Sequence, residues 1–127
     1  MLRFLTIAVS ALTLATAGVA AAQAKKGSNG GTVVSSQGHP IEFVRKGLEI
    51  TFYVSDHDGS PAPTENMRGR ATIQDGGKTV TVLLTPSAPN LLVGKTEAEI
   101  SPQARIVFTA SLKGTHEHAL TARYTAE

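Results

Sequence analysis

"LEITFYVS", residues 48–55, alternates without interruption. Leu48, Ile50, Phe52 and Val54 fall on one side, and Glu49, Thr51, Tyr53 and Ser55 on the other. Successive side chains of an extended strand point to opposite faces, so the stretch reads as a half-buried β-strand. Its upstream neighbour "HPIEFVR" (residues 39–45) has the same parity, and Lys46-Gly47 between them reads as a two-residue hairpin turn. That turn sets Arg45 opposite Leu48, Phe43 opposite Ile50 and Ile41 opposite Phe52, which gathers the apolar partners on one face.

The pattern repeats downstream. In "RATIQDGGKTVTVLL" (residues 70–84) a turn at Gly76-Gly77 pairs Asp75 with Lys78, Ile73 with Val80 and Ala71 with Val82. "RIVFTASL" (residues 105–112) turns Ile106, Phe108, Ala110 and Leu112 inward, and Leu120, Ala122 and Tyr124 continue that face. Matching them requires a three-residue loop, Gly114-Thr115-His116, with Lys113 across from Glu117 and His118 opposite Leu112. "TVVSS" (residues 32–36) and "NLLVG" (residues 90–94) add two more strands, and residues 96–104 read as a loop. Nowhere does helical periodicity persist beyond about two turns. Seven to eight short strands separated by turn signals predict an all-β fold, a small antiparallel β-sandwich of Ig-like topology.

The first 24 residues stand outside that pattern. Arg3 precedes an apolar run from Phe4 to about Val19, and Ala22-Gln23-Ala24 supplies a small-x-small cleavage pattern. Residues 1–24 are therefore read as a signal peptide cut after Ala24. The run is too rich in Ala and Thr to serve as a membrane span. Residues 25–31, "KKGSNGG", read as a flexible N-terminal tail, and residues 32–127 as the single folded domain. The chain has no cysteine, which excludes both a lipid anchor at the cleavage point and any disulfide. A periplasmic or secreted protein is expected, with no membrane span after processing.

Twelve Lys and Arg against ten Asp and Glu leave the chain close to neutral, and with no Trp, two Tyr and four Phe it offers no row of aromatics. Neither the charge nor the aromatics give a footprint for nucleic acid. No Gly-x-Ser-x-Gly elbow, phosphate loop or His-Glu-x-x-His pair is present, so no enzyme is expected. "DHDG" (residues 56–59) lacks the third oxygen ligand and the distal Glu of a calcium loop and reads as a turn.

Metal chemistry is the one site hypothesis the residues raise. With no Cys, a site has to be built from imidazole and carboxylate, which suits copper or zinc. One constellation joins His39, opposite Val54 in the expected register, to His57 and one of Asp56 or Asp58 in the following loop. The other is the His116-Glu117-His118 triplet, where the register puts His116 at a loop tip and His118 at the rim of the sandwich.

Gly30-Gly31, His39 with Glu42 three residues on, Tyr53, Asp58-Gly59 followed by Pro61, Gly76-Gly77, Leu84, Pro86, Asn90, Leu92, Gly94 and the closing Ala122-Arg123-Tyr124 form a succession. It resembles a group of small exported bacterial β-proteins, similar to the N-terminal module of periplasmic adaptor subunits in heavy-metal efflux systems of the cobalt–zinc–cadmium type. The resemblance covers nearly all of residues 29–124. Where such proteins often read His-Gly-Gly, this chain has Asn29, which removes one potential ligand. The resemblance implies a non-catalytic periplasmic protein in metal tolerance, partnered with an efflux component. The alternative from the residues is a protein-interaction β-sandwich that docks a partner by a sheet edge or loop rim and holds no metal.

Overall fold

The computed structural model describes residues 24–112 and 119–126. Among them are nine strands: β1 (Lys25–Lys26), β2 (Thr32–Ser36), β3 (His39–Lys46), β4 (Glu49–Val54), β5 (Met67–Asp75), β6 (Lys78–Ser87), β7 (Leu91–Lys95), β8 (Arg105–Leu112) and β9 (Leu120–Thr125). No helix of the described residues is long and apolar enough to cross a membrane.

All nine strands join one antiparallel sheet in the order β1-β2-β3-β4-β7-β6-β5-β8-β9, curled into a half-barrel. The expectation of an all-β antiparallel fold holds, and the continuity comes from β6. Its first part pairs with β5, and Thr85, Pro86 and Ser87 then pair with Val93, Leu92 and Leu91 of β7. A strand ten residues long is enough to pass from one arm of the sheet to the other. The curl brings β2 back beside β9, where the Thr121 amide donates to Ser36 Oγ at 2.9 Å and Gln37 Nε2 donates to the Ala119 carbonyl at 3.1 Å.

Two of the three expected hairpin registers are observed. Asp75 pairs with Lys78, Ile73 with Val80 and Ala71 with Val82. Ile106 pairs with Tyr124, Phe108 with Ala122 and Ala110 with Leu120. The loop between β8 and β9, with its Lys113–Glu117 and Leu112–His118 pairs, lies outside the described residues.

The third register differs. Ile41 pairs with Val54, Phe43 with Phe52, Arg45 with Ile50 and Lys46 with Glu49, two residues along from the expected pairing. The turn is Gly47-Leu48 rather than Lys46-Gly47. Gly47 has φ 58°, so glycine takes the first central position, and Lys46 need not enter the left-handed region. The slide of two residues preserves the facing of every side chain but leaves Leu48 at the turn, 43% exposed.

The core is the concave side of the curl. Ile41, Ile50, Phe52, Val54, Leu92, Ile106 and Phe108 are fully buried there. Phe52 of β4 stacks on Phe108 of β8 with ring centroids 4.5 Å apart, joining the two arms of the sheet. Tyr124 packs beside Phe43 and Phe52, and its hydroxyl donates to the Ile41 carbonyl at 2.7 Å. The loop of residues 96–104 is tied down by Asp75, whose carboxylate accepts from the Ser101 amide and hydroxyl at 2.9 and 2.7 Å. These bonds, the amide's first, hold the Asp75 carboxyl below its ordinary value.

Burial pushes the Tyr124 phenol well above its ordinary value. The folded chain therefore keeps a proton that the unfolded chain releases above about pH 10. Stability from this group is complete below that pH and declines as pH rises beyond it. Urea denaturation between about pH 8 and 11 is expected to show this decline, and Tyr124→Phe is expected to remove that component while costing about 1 kcal/mol at neutral pH for the lost hydrogen bond. An alkaline decline of equal slope in both proteins would contradict it.

Candidate functional site

The rim at the β2–β3 turn is where His39 and His57 meet. β2 and β3 are joined by Gln37 and Gly38, with φ 50° and 80°, a pair of left-handed residues that closes the hairpin in two. That places His39 at the first position of β3. The corrected β3–β4 register carries the end of β4 along His39: the Ser55 amide donates to the Pro40 carbonyl at 2.9 Å, and the Ser55 carbonyl reaches the His39 Nδ1 at 2.9 Å. A carbonyl only accepts, so in the neutral ring Nδ1 carries the hydrogen and Nε2 the lone pair.

The loop after β4 returns sharply. Ser55 bridges to Pro61, the Asp56 amide donates to the Ser60 carbonyl at 2.7 Å, and the Gly59 amide to the Asp56 carbonyl at 2.9 Å. Buried Asn90 fastens the base of the loop, its Nδ2 donating to the Val54 carbonyl at 2.9 Å. This curl brings His57 onto His39, with ring centroids 4.3 Å apart and planes inclined by 45°. His57 also lies over Gly38, where a Cβ would come within 2.5 Å of its Nδ1. His57 is exposed and His39 half-buried.

His39, His57 and Asp56 line a recess of about 490 Å³, together with Met67 and, from the far arm of the sheet, Ser111 and Leu120. Asp58 does not line it. Its Oδ1 accepts from the Ser60 hydroxyl at 2.6 Å and the Ser60 amide at 3.0 Å, bonds that hold the Asp58 carboxyl below its ordinary value, the hydroxyl's first. The carboxylate that accompanies the two histidines is thus Asp56. His116 and His118 lie outside the described residues. Among the described residues, no group of three His, Asp or Glu side chains is gathered closely enough to hold a metal ion. What the rim offers is two imidazoles.

A second polar centre was not legible in the sequence. Glu42, only 5% exposed, receives the Asn29 amide at 3.0 Å, the Asn29 Nδ2 at 2.9 Å and the Gly31 amide at 2.8 Å. Residues 27–31 thus fold over this carboxylate, and β1 pairs Lys25 with Val33 and Lys26 with Thr32. The available signal was an acidic residue in the middle of "HPIEFVR", where outward parity suggested solvent.

No protein-family model, curated protein or solved structure matches the chain.

Proposed function

We propose that the protein is an exported, non-catalytic binding protein that takes up copper(II) or zinc at the His39–His57 rim, acting in periplasmic metal tolerance as an accessory to a heavy-metal efflux component. The observation that carries this reading is the pair of imidazoles centred 4.3 Å apart, one with its tautomer set by the Ser55 carbonyl. A histidine ligand characteristically donates its second ring N–H to such an acceptor. Two imidazoles bound cis to one ion, at about 2.0–2.1 Å each, place their centroids roughly 4–5 Å apart. Two ligands do not make the closed shell of a structural zinc site, which takes four. They fit an open site that leaves further positions to water and exchanges its ion readily, which suits transfer more than storage. The resemblance to efflux-adaptor modules supports the same setting. On the fold, we extend the proposal to a functional two-layered, Ig-like sandwich, in which the Phe52–Phe108 stack joins the two arms.

Calorimetric titration of the exported protein with copper(II) and zinc tests the reading. Saturable binding tighter than about 100 μM, or about −5.5 kcal/mol, is expected. Binding should weaken as pH falls from about 7.5 to about 5, because protonated imidazole does not ligate. His39→Ala and His57→Ala are each expected to weaken it at least about tenfold, 1.4 kcal/mol, and His116→Ala less. If neither ion binds more tightly than that limit, the metal reading fails and docking without a metal takes its place.

A further inference from the structure

At the end of the sheet opposite the histidine rim, the edges of the half-barrel splay apart. There β1, the start of β2 and the outer ends of β8 and β9 enclose a groove of about 1040 Å³. Among the described residues its lining includes Lys25, Lys26, Arg105 and Arg123 and no Asp or Glu. The charge continues across the outer face of the arm. Register puts Arg68, Arg70, Arg105 and Arg123 on the outward parity of β5, β8 and β9, opposite the buried set Ala71, Ile73, Ile106, Phe108, Ala122 and Tyr124. The remaining outward positions of these three strands are Thr, Ser, Gln and Val. A chain whose total charge is nearly balanced has therefore separated its charges, leaving this face cationic.

The groove also has an open backbone edge. Among the described residues, β9 is the last strand of the sheet and pairs with β8 alone. The Thr121 amide points away from β8, toward Ser36 Oγ, so by strand alternation the backbone groups of Arg123 and Thr125 face the groove too. Two β9 edges from separate copies would bring these arginines together, and like charges across a strand pair are destabilising.

We propose that this groove binds an extended acidic peptide segment of a partner protein, which adds as a strand to β9. Strand addition supplies main-chain hydrogen bonds, and alternate side chains supply selectivity. A strand beside β9 sits about 4.8 Å from it and presents alternate residues to each face. Acidic side chains on the outer face would meet Arg123 and, one strand further, Arg105, with Lys25 and Lys26 across the groove. Apolar residues at the intervening positions would face Tyr124 and Ile106, which line the inner side. The proposal does not depend on metal at the opposite rim.

The test is fluorescence anisotropy with a labelled heptapeptide of alternating Glu and Val and the protein purified after export of the full chain. Three control peptides accompany it: one with Gln in place of every Glu, and two N-methylated at alternate amides, one in each register. The acidic peptide is expected to bind in a salt-sensitive manner. The Gln control, at least one of the two N-methylated forms, and the charge-reversal variants Arg105→Glu and Arg123→Glu should each bind at least about tenfold more weakly, 1.4 kcal/mol. Both arginines are exposed, and circular dichroism will show each variant folded. Equal binding of the Gln peptide would mean that the cations only guard a sheet edge against aggregation. Equal binding of both N-methylated forms (each register of alternate amides) would remove strand addition. Tighter association with phosphatidylglycerol vesicles than with the peptide would assign the face to a membrane surface. Any of these results overturns the proposal.

Discussion

Phe52→Ala is expected to leave little or no folded protein. Phe52 has no exposed surface and packs against Phe43, Phe108 and Tyr124, so its truncation opens a cavity where the two arms of the sheet meet. Removing a buried phenylalanine costs about 3–5 kcal/mol. Domains of this kind hold only about 5–15 kcal/mol in all, and with no cysteine in the chain no disulfide offsets the loss. Phe108→Ala should behave alike, since it removes the other half of the stack. Tyr53→Ala serves as the control. Tyr53 is half-buried on the outer face of the same strand, and its loss should be markedly milder. Urea denaturation of the three variants checks the order, and a Tyr53→Ala protein less stable than Phe52→Ala would contradict the assigned facing.

The second large effect is expected at Glu42. Its carboxylate gathers two backbone amides and one side-chain amide of residues 29–31. Hydrogen bonds to a charged group contribute about 1.5–3 kcal/mol each, and donors left without an acceptor add their own cost unless water reaches them. Because residues 28–30 are exposed, water will satisfy part of what is lost, and Glu42→Ala is expected to cost about 2–3 kcal/mol. Glu42→Gln should fall between, since it keeps one acceptor oxygen but turns an NH₂ group toward the donors. Hydrogen exchange locates the effect: the Asn29 and Gly31 amides should lose protection in Glu42→Ala, while those of β8 change only with global stability. Unchanged protection at Gly31 would contradict the role given to Glu42.

Strand parity was legible because burial on a sheet repeats every second residue. The facing of Ile50, Phe52, Ile106, Phe108 and Tyr124 could be read directly from alternation. Register at Gly76-Gly77 was legible because two adjacent glycines mark both central positions of the turn. At Gly47 a single glycine left two placements, both keeping the apolar face inward, and alternation does not distinguish a slide of two residues. The single continuous sheet was hidden for a related reason. β6 pairs with β5 and then β7 in one unbroken strand, and no turn residue marks the handover.

At the site, the meeting of His39 with His57 was anticipated from the loop after β4, although by the shorter register. Their closeness depends on Gly38 leaving room for the imidazole of His57 and on Ser55 orienting His39. Both are contacts between residues distant in sequence or without chemical signature. Charge separation was missed because net charge sums over the chain, whereas a face is defined by strand order. Arg70, Arg105 and Arg123 come together only once β5, β8 and β9 are neighbours.

The most direct test of the proposed metal site at the His39–His57 rim is a zinc titration followed by NMR of the histidine imidazoles. His39 and His57 are expected to shift together and saturate at one zinc per chain, with coordination through Nε2 of His39 while its Nδ1–H bond to the Ser55 carbonyl persists. Independent shifts of the two rings, or shifts at neither ring while zinc binds elsewhere, would contradict it.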